Sequence, residues 1–110
     1  MKKEYRIKSN LDFSSIIKSG KRLKFKEYNL YYIDSILEHY RFGISVSTKL
    51  GNAVKRNRIK RQVRSMIDDF TKNHFVKLDV IVVVKEGYLN NDYQTNKSVL
   101  VKNLEIITHE

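Results

Sequence analysis

Residues 53–72 combine two patterns that restrict the fold more than any other part of the chain. Apolar residues recur there at helical spacing and fall within a stripe about 100° wide: Ile59, Val63, Met66, Ile67 and Phe70. The remaining helix surface carries most of a dense run of cations between Lys55 and Arg64. The segment therefore predicts an amphipathic helix that packs one face on a sheet and presents cations on the other.

The charge of the chain is concentrated around this helix. From His39 to Ile67 the sequence has eight basic and no acidic residues, whereas the rest holds 14 basic and 12 acidic ones. The segment thus supplies +8 of a net charge of +10. Cations packed this densely repel one another, which indicates a polyanionic partner, with nucleic acid as the leading class. Two alternative explanations are disfavoured: a soluble basic protein without a polyanionic partner, and a charged helix face that contacts only water. Surfaces of both kinds normally mix basic and acidic residues.

Length and composition limit the other possibilities. The 110 residues suit one domain, residues 1–110, and 41% hydrophobic content is enough for a core. Cysteine is absent, so disulfides and thiolate metal sites are excluded. The basic amino terminus leads into no apolar segment of a signal peptide, and no run is long enough to span a membrane. We expect a cytoplasmic protein with no membrane partner and no small-molecule substrate.

The pattern of residues predicts an α+β order of α, two or three β, α, β, α, in a single α/β sandwich. Ser9 or Asn10 caps the first helix, Gly20 ends it in a left-handed conformation, and Asn52 caps the second helix. The apolar run from Val80 to Val84 is typical of a central strand covered on both faces. The predicted elements are a helix at 9–20, one or two strands within 22–34, a strand at 41–47, a helix at 53–72, a strand at 79–84 and a helix at 91–107.

The basic helix carries local electrostatic penalties that favour a phosphate-bearing ligand. Lys60 forms like-charge pairs at i,i+4 with Arg56 and Arg64, each unfavourable by roughly 0.2–0.5 kcal/mol. Cations at the helix start also oppose its dipole, by about 0.3–1 kcal/mol each. Arginine matches phosphate oxygens in bidentate fashion, and the Asn57 amide suits a base edge or a ribose hydroxyl. The turn from Lys49 to Asn52 leads into free helix amides, which also suit a phosphate.

The segment Leu50–Arg64, LGNAVKRNRIKRQVR, resembles the signature of the bacterial ribonuclease P protein family, the RNR motif. The similarity extends over nearly the whole chain in the family's order. It includes Arg6, Asp12–Phe13, Gly20, Tyr31, Arg41–Ser47 and Asp79–Val84. The chain departs from the pattern at Ile17, where the family usually has an aromatic residue, and at Lys85, where arginine is usual.

The resemblance implies a fold of αβββαβα order with a left-handed βαβ crossover. It also implies the protein subunit of an endoribonuclease whose RNA subunit is the catalyst, using Mg²⁺ to remove the 5′ leader of precursor tRNA. The chain alone would then have no catalytic residue. RNase P RNA and the precursor tRNA leader are the implied partners. The implied RNA-binding residues are Lys49, Asn52, Lys55, Arg56, Asn57, Arg58, Lys60, Arg61 and Arg64, and those of the leader cleft are Phe13, Ile17 and Tyr31.

Two other functions stay open on the residues alone. A ribosomal-type or double-stranded-RNA-binding protein would carry a similar cationic helix. A stand-alone nuclease would need its histidines together, but His39 falls in a predicted loop and His109 next to the carboxyl end. Asp68 and Asp69 point about 100° apart on a helix, so we expect exposed charges there and no metal pair. The sequence does not predict which residues, if any, bind metal.

Overall fold

The computed structural model describes residues 1–109 and shows three helices and one four-stranded sheet; Glu110, the last residue of the expected domain, lies outside this range. The helices are α1 (Asn10–Ser19), α2 (Ala53–Asn73) and α3 (Tyr93–Thr108), and the strands are β1 (Lys21–Lys24), β2 (Tyr28–Asp34), β3 (Arg41–Val46) and β4 (Leu78–Val84). Short 3₁₀ turns lie at Lys3–Tyr5, Thr48–Leu50 and Glu86–Asn90. The predicted α+β class and αβββαβα order are confirmed.

The sheet has the strand order β1-β2-β4-β3. The pairs β1–β2 and β2–β4 are antiparallel, whereas β3 and β4 are parallel and are joined through α2. This β3–α2–β4 connection is the unit whose left-handed sense the resemblance implies. Strand β4 lies between β2 and β3, and Val80, Ile81 and Val82 are fully buried, as the apolar run predicts.

The sheet separates two hydrophobic clusters. On one face, alternate residues of β2 and β4, including Leu30 and Val82, pack with the apolar stripe of α2 and with α3. On the other face, Ile81 packs with Ile7 and Ile16 beneath α1, and Phe13 borders them. The two clusters follow from the period-two alternation of strands. On the α1 side of the sheet, Phe13 and Tyr31 are only half-buried, so part of this face stays accessible.

Most element ends lie within one residue of the sequence prediction, but the start of α3 and the backbone conformation of Gly20 differ from it. Helix α3 begins at Tyr93, two residues later than predicted, because residues 86–90 form a 3₁₀ turn and the Asp92 carboxylate caps the helix by accepting the Thr95 amide at 2.8 Å. Gly20 is extended, with φ −78°, so the prediction of a left-handed stop was wrong. Glycine is needed there for close packing, since a Cβ would lie 2.6 Å from the Ile16 carbonyl oxygen and 2.8 Å from that of Tyr32.

No helix within residues 1–109 is both long and apolar enough to cross a membrane.

Candidate nucleic-acid interface

The start of α2 is fixed by a cap and a buried anchor. Asn52 accepts the Lys55 amide through its side chain at 2.9 Å and the Arg56 amide through its carbonyl. Leu50, in the preceding turn, is buried in the main core. The first turn of α2 contains no acidic residue, so no carboxylate in that turn neutralises its cations.

The apolar stripe of α2 lies where the sequence placed it, since its five residues are the buried residues of this helix. The predicted RNA-binding residues consequently lie on the rest of the helix surface or in the turn before it. Lys49, Asn52, Lys55, Asn57, Arg58 and Arg61 are exposed, and Arg56, Lys60 and Arg64 are half-buried. We call these nine residues together the cationic face.

Arg41 differs from the other cations of the acid-free segment because it has acidic partners. Its guanidinium donates to the Asp79 carboxylate at 2.7 and 3.1 Å and lies 3.5 Å from Asp12. The hydrogen bond to Asp79 is the main reason that the pKa of Arg41 is raised. Arg41 therefore ties α1 to β3 and β4 and is not available to a ligand.

The other seven cations of that segment form no ion pair with any described residue. The nearest acids along α2 are already paired, Asp68 with the Met1 amino group at 3.2 Å and Asp69 with Lys97 at 2.7 Å. Lys97 is also the main cause of the lowered pKa of Asp69. Asp68 and Asp69 thus have partly exposed side chains and different partners. Residues 1–109 contain no group of three or more His, Cys, Asp or Glu side chains that could hold a metal ion.

The other candidate surface lies between α1 and the sheet. Helix α1 crosses from β3, where Asp12 meets Arg41, to β2, where Gly20 packs on Tyr32. The Phe13 ring lies directly over Gly43 of β3, so close that a Cβ on Gly43 would be 2.5 Å from the Phe13 Cζ atom. Phe13 is half-buried and keeps part of its surface accessible.

Tyr31 lies on the same face of the sheet, opposite Ile81, and is half-buried. Ile17, one turn along α1 from Phe13, is 39% exposed. The structure thus brings the three predicted cleft residues, Phe13, Ile17 and Tyr31, to one side of the sheet, and we call their surroundings the α1 cleft. Whether this cleft holds RNA stays a prediction.

The sequence reasoning missed one residue of the α1 cleft. Asn29 is two positions before Tyr31, so it lies on the same face of β2, paired with Val83. Its Oδ1 atom is buried and has no hydrogen-bond partner among the described residues. The period-two alternation of β2 could have identified the position, but no sequence pattern indicates an unsatisfied acceptor there.

The three histidines lie in different parts of the fold. His39 contacts the Tyr5 ring edge-on, and His74 stacks on Phe70 at the end of α2 with ring centroids 4.0 Å apart. His109 follows the last helix. The structure assembles no pair of them for acid–base catalysis.

An α+β domain with an unpaired cationic helix and an accessible sheet face has the features of a small nucleic-acid-binding protein. Comparison with known proteins specifies the family. The family model described as Ribonuclease P matches residues 1–108. The Ribonuclease P protein component of Streptococcus agalactiae serotype Ia is 41% identical over 106 residues, 96% of both chains.

Solved structures that resemble this chain belong to the same family. The RNase P protein of Staphylococcus aureus superposes with a TM-score of 0.86 at 36% identity and 94% coverage of both chains. That of Thermotoga maritima gives 0.82 at 26% identity, covering 90% of this chain and 94% of the other. The chain belongs to the bacterial ribonuclease P protein family. Members of this family are the protein component of a ribonucleoprotein ribonuclease, and the protein component is not catalytic on its own. The ribosomal-type alternative is not favoured.

Proposed function

We propose that the chain binds RNase P RNA through the cationic face: Lys49, Asn52, Lys55, Arg56, Asn57, Arg58, Lys60, Arg61 and Arg64. The observation that carries this proposal is the set of seven cations that lack any acidic partner around a capped helix start. RNA phosphates would relieve both their mutual repulsion and their conflict with the helix dipole.

The second part of the proposal is that the 5′ leader of precursor tRNA lies in the α1 cleft. Phe13 and Tyr31 offer partly exposed rings, on which unpaired bases can stack for about 1–3 kcal/mol each. Ile17 offers a partly exposed apolar contact beside these rings. The chain would thus hold both the catalyst and its substrate.

In this proposal Mg²⁺ is used by the catalytic RNA, and the protein contributes charge and position. Protein cations neutralise phosphates that would otherwise need divalent ions, so the protein lowers the Mg²⁺ concentration at which the RNA folds and binds substrate. The whole chain acts as one RNA-binding domain in the cytoplasm, where tRNA precursors are made.

Precursor-tRNA cleavage by the matching RNase P RNA tests the proposal across a Mg²⁺ titration, with and without the protein. We expect cleavage at the 5′ end of the mature tRNA, with the midpoint at lower Mg²⁺ when the protein is present. A folded protein that leaves the midpoint unchanged would contradict the proposal. Protein without RNA serves as a control, since cleavage by it would indicate a nuclease, and sequencing of copurified RNA would detect a ribosomal association.

A further inference from the structure

Residues 1–8 form an arm that is held against the edge of the sheet. The Ile7 amide donates to the Phe42 carbonyl at 2.9 Å, and the Ile7 side chain is buried under α1. The Tyr5 ring stacks on Tyr40 with centroids 4.6 Å apart. These contacts give the arm a defined position beside β3.

This position brings the cations of the arm next to α2. A cavity of about 250 Å³ lies at the β3 edge and is lined by Arg6 and Lys8 of the arm and by Arg64 of the cationic face. Arg6 has an extended backbone, and both Arg6 and Lys8 line this cavity. We call this cavity the edge notch.

Three features of the edge notch indicate an anionic ligand. Its lining contains three cations and no carboxylate, the rest being Met1, Ile7, Phe13, Phe42, Gly43 and Ile44. None of the three cations forms an ion pair with a described residue. The Arg6 Nε atom is buried and has no hydrogen-bond partner among the described residues. Buried arginine N–H groups ordinarily donate a hydrogen bond to a neighbouring acceptor.

The notch also joins the two surfaces described above, since Arg64 belongs to the cationic face and Phe13 to the α1 cleft. From this geometry we infer that the edge notch binds a phosphodiester group of RNA, held between the Arg6 and Arg64 guanidiniums with Lys8 at its rim. Resting on the proposed function, this inference adds the amino-terminal arm to the RNA interface. The phosphodiester belongs either to RNase P RNA or to the precursor leader.

The test compares two variants of the whole chain, Arg6→Gln and Lys102→Gln. The second is the control, because it removes one exposed cation from α3, away from the edge notch. Affinity is measured against salt in two arms, first for RNase P RNA alone and then for precursor tRNA binding to the assembled holoenzyme. Loss of one phosphate contact lowers the salt slope by about 0.7–0.9 and weakens binding roughly fivefold at 0.15 M salt. We expect this loss for Arg6→Gln in one arm only, and the arm identifies the source of the phosphodiester.

Two further variants separate charge from folding. Arg6→Lys should keep the salt slope, whereas an Arg6→Gln/Arg64→Gln double variant should lose less than the sum of the single losses, because both residues contact one phosphate. A slope for Arg6→Gln equal to that of Lys102→Gln in both arms would overturn the inference while leaving the proposed function intact. Failure of the unmodified protein to bind either RNA would instead overturn the proposed function.

Discussion

The contact between Gly43 and Phe13 allows the α1 cleft to be perturbed by a single methyl group. In Gly43→Ala the new Cβ would lie 2.5 Å from the Phe13 Cζ atom and 2.9 Å from the Ile81 Cδ1 atom. Carbon atoms in contact are normally about 3.5–4.0 Å apart. The Phe13 ring must therefore move outward by roughly 1 Å or more, since Ile81 is fully buried and cannot give way.

The displacement has a stability consequence and a binding consequence. Overpacking of this kind destabilises a domain by about 1–3 kcal/mol, and each kcal/mol lowers the Tm of a domain this size by about 4–8 °C. If Phe13 stacks on a leader base, its displacement removes up to about 1–3 kcal/mol of affinity, or about 5-fold to 150-fold. Apart from Arg64, which shares the edge notch with Phe13 and Gly43, the cationic face lies on the other side of the sheet, so RNA binding through it should be retained.

The assay measures binding of two substrates to the assembled holoenzyme, precursor tRNA with its leader and the same tRNA without it. The ratio of the two affinities isolates the leader contribution. We expect Gly43→Ala to lower this ratio while leaving the affinity for leaderless tRNA unchanged. The double variant Gly43→Ala/Phe13→Leu has room for the methyl group, so it should regain the Tm but not the leader contribution.

Two results would refute this reasoning. A Tm equal to that of the unmodified protein would show that Phe13 does not pack on Gly43 as the structure places it. A lowered Tm with an unchanged affinity ratio would show that Phe13 is a core residue and that the leader binds elsewhere.

Four further predictions test other parts of the structure. Arg61→Gln should lower the salt slope of RNase P RNA binding by about 0.7–0.9; an unchanged slope would mean that Arg61 faces only solvent. Ile17→Phe should tighten binding of leader-bearing precursor, through stacking worth up to about 1–3 kcal/mol, and a neutral result would weaken the assignment of Ile17 to the cleft. Asn103 is buried with neither amide atom hydrogen-bonded to a described residue, so Asn103→Leu should raise the free energy of unfolding in urea by about 1–3 kcal/mol; destabilisation would show that the amide has a partner. The hydrogen bond from the Thr95 amide lowers the pKa of Asp92, so its stabilising effect is present above roughly pH 4 and is lost as the pH falls through the lowered pKa. Asp92→Ala should accordingly lower the Tm at pH 7 and make little difference at pH 2, and an equal loss at both pH values would refute a role for the carboxylate charge.

The sequence predicted most of the fold because each element follows a strong local pattern. The stripe from Ile59 to Phe70 and the run from Val80 to Val84 depend only on periodicity and length, and both lie where predicted. The prediction of a left-handed conformation at Gly20 was wrong because a glycine after a helix can also be required for close packing. Here the close contact is with Tyr32, which is distant in the sequence. The start of α3 was misplaced by two residues because Asn90, Asn91 and Asp92 are all suitable helix caps, and the sequence alone does not show that Asp92 accepts the Thr95 amide.

The site was predicted less completely than the fold. The positions on α2 follow from one helical wheel, but the partners of each cation depend on tertiary contacts. Nothing near Arg41 in the sequence indicates its partner Asp79, which is 38 residues away. The approach of Arg6 to Arg64 likewise depends on the pairing of the arm with β3.

The distribution of ion pairs argues that the unpaired cations serve a ligand. Arg41 shows that this fold can neutralise a cation of the acid-free segment when structure requires it, with Asp79 on the neighbouring strand and Asp12 on α1. Asp68 and Asp69 lie within two turns of Arg64, yet they pair with the Met1 amino group and Lys97. A fold selected for stability alone would direct such carboxylates to the repelling cations on their own helix. Because it does not, the repulsion on α2 persists in the free protein. If RNA phosphates bind the cationic face as proposed, they would relieve this repulsion, and RNA binding would then raise the stability of the protein.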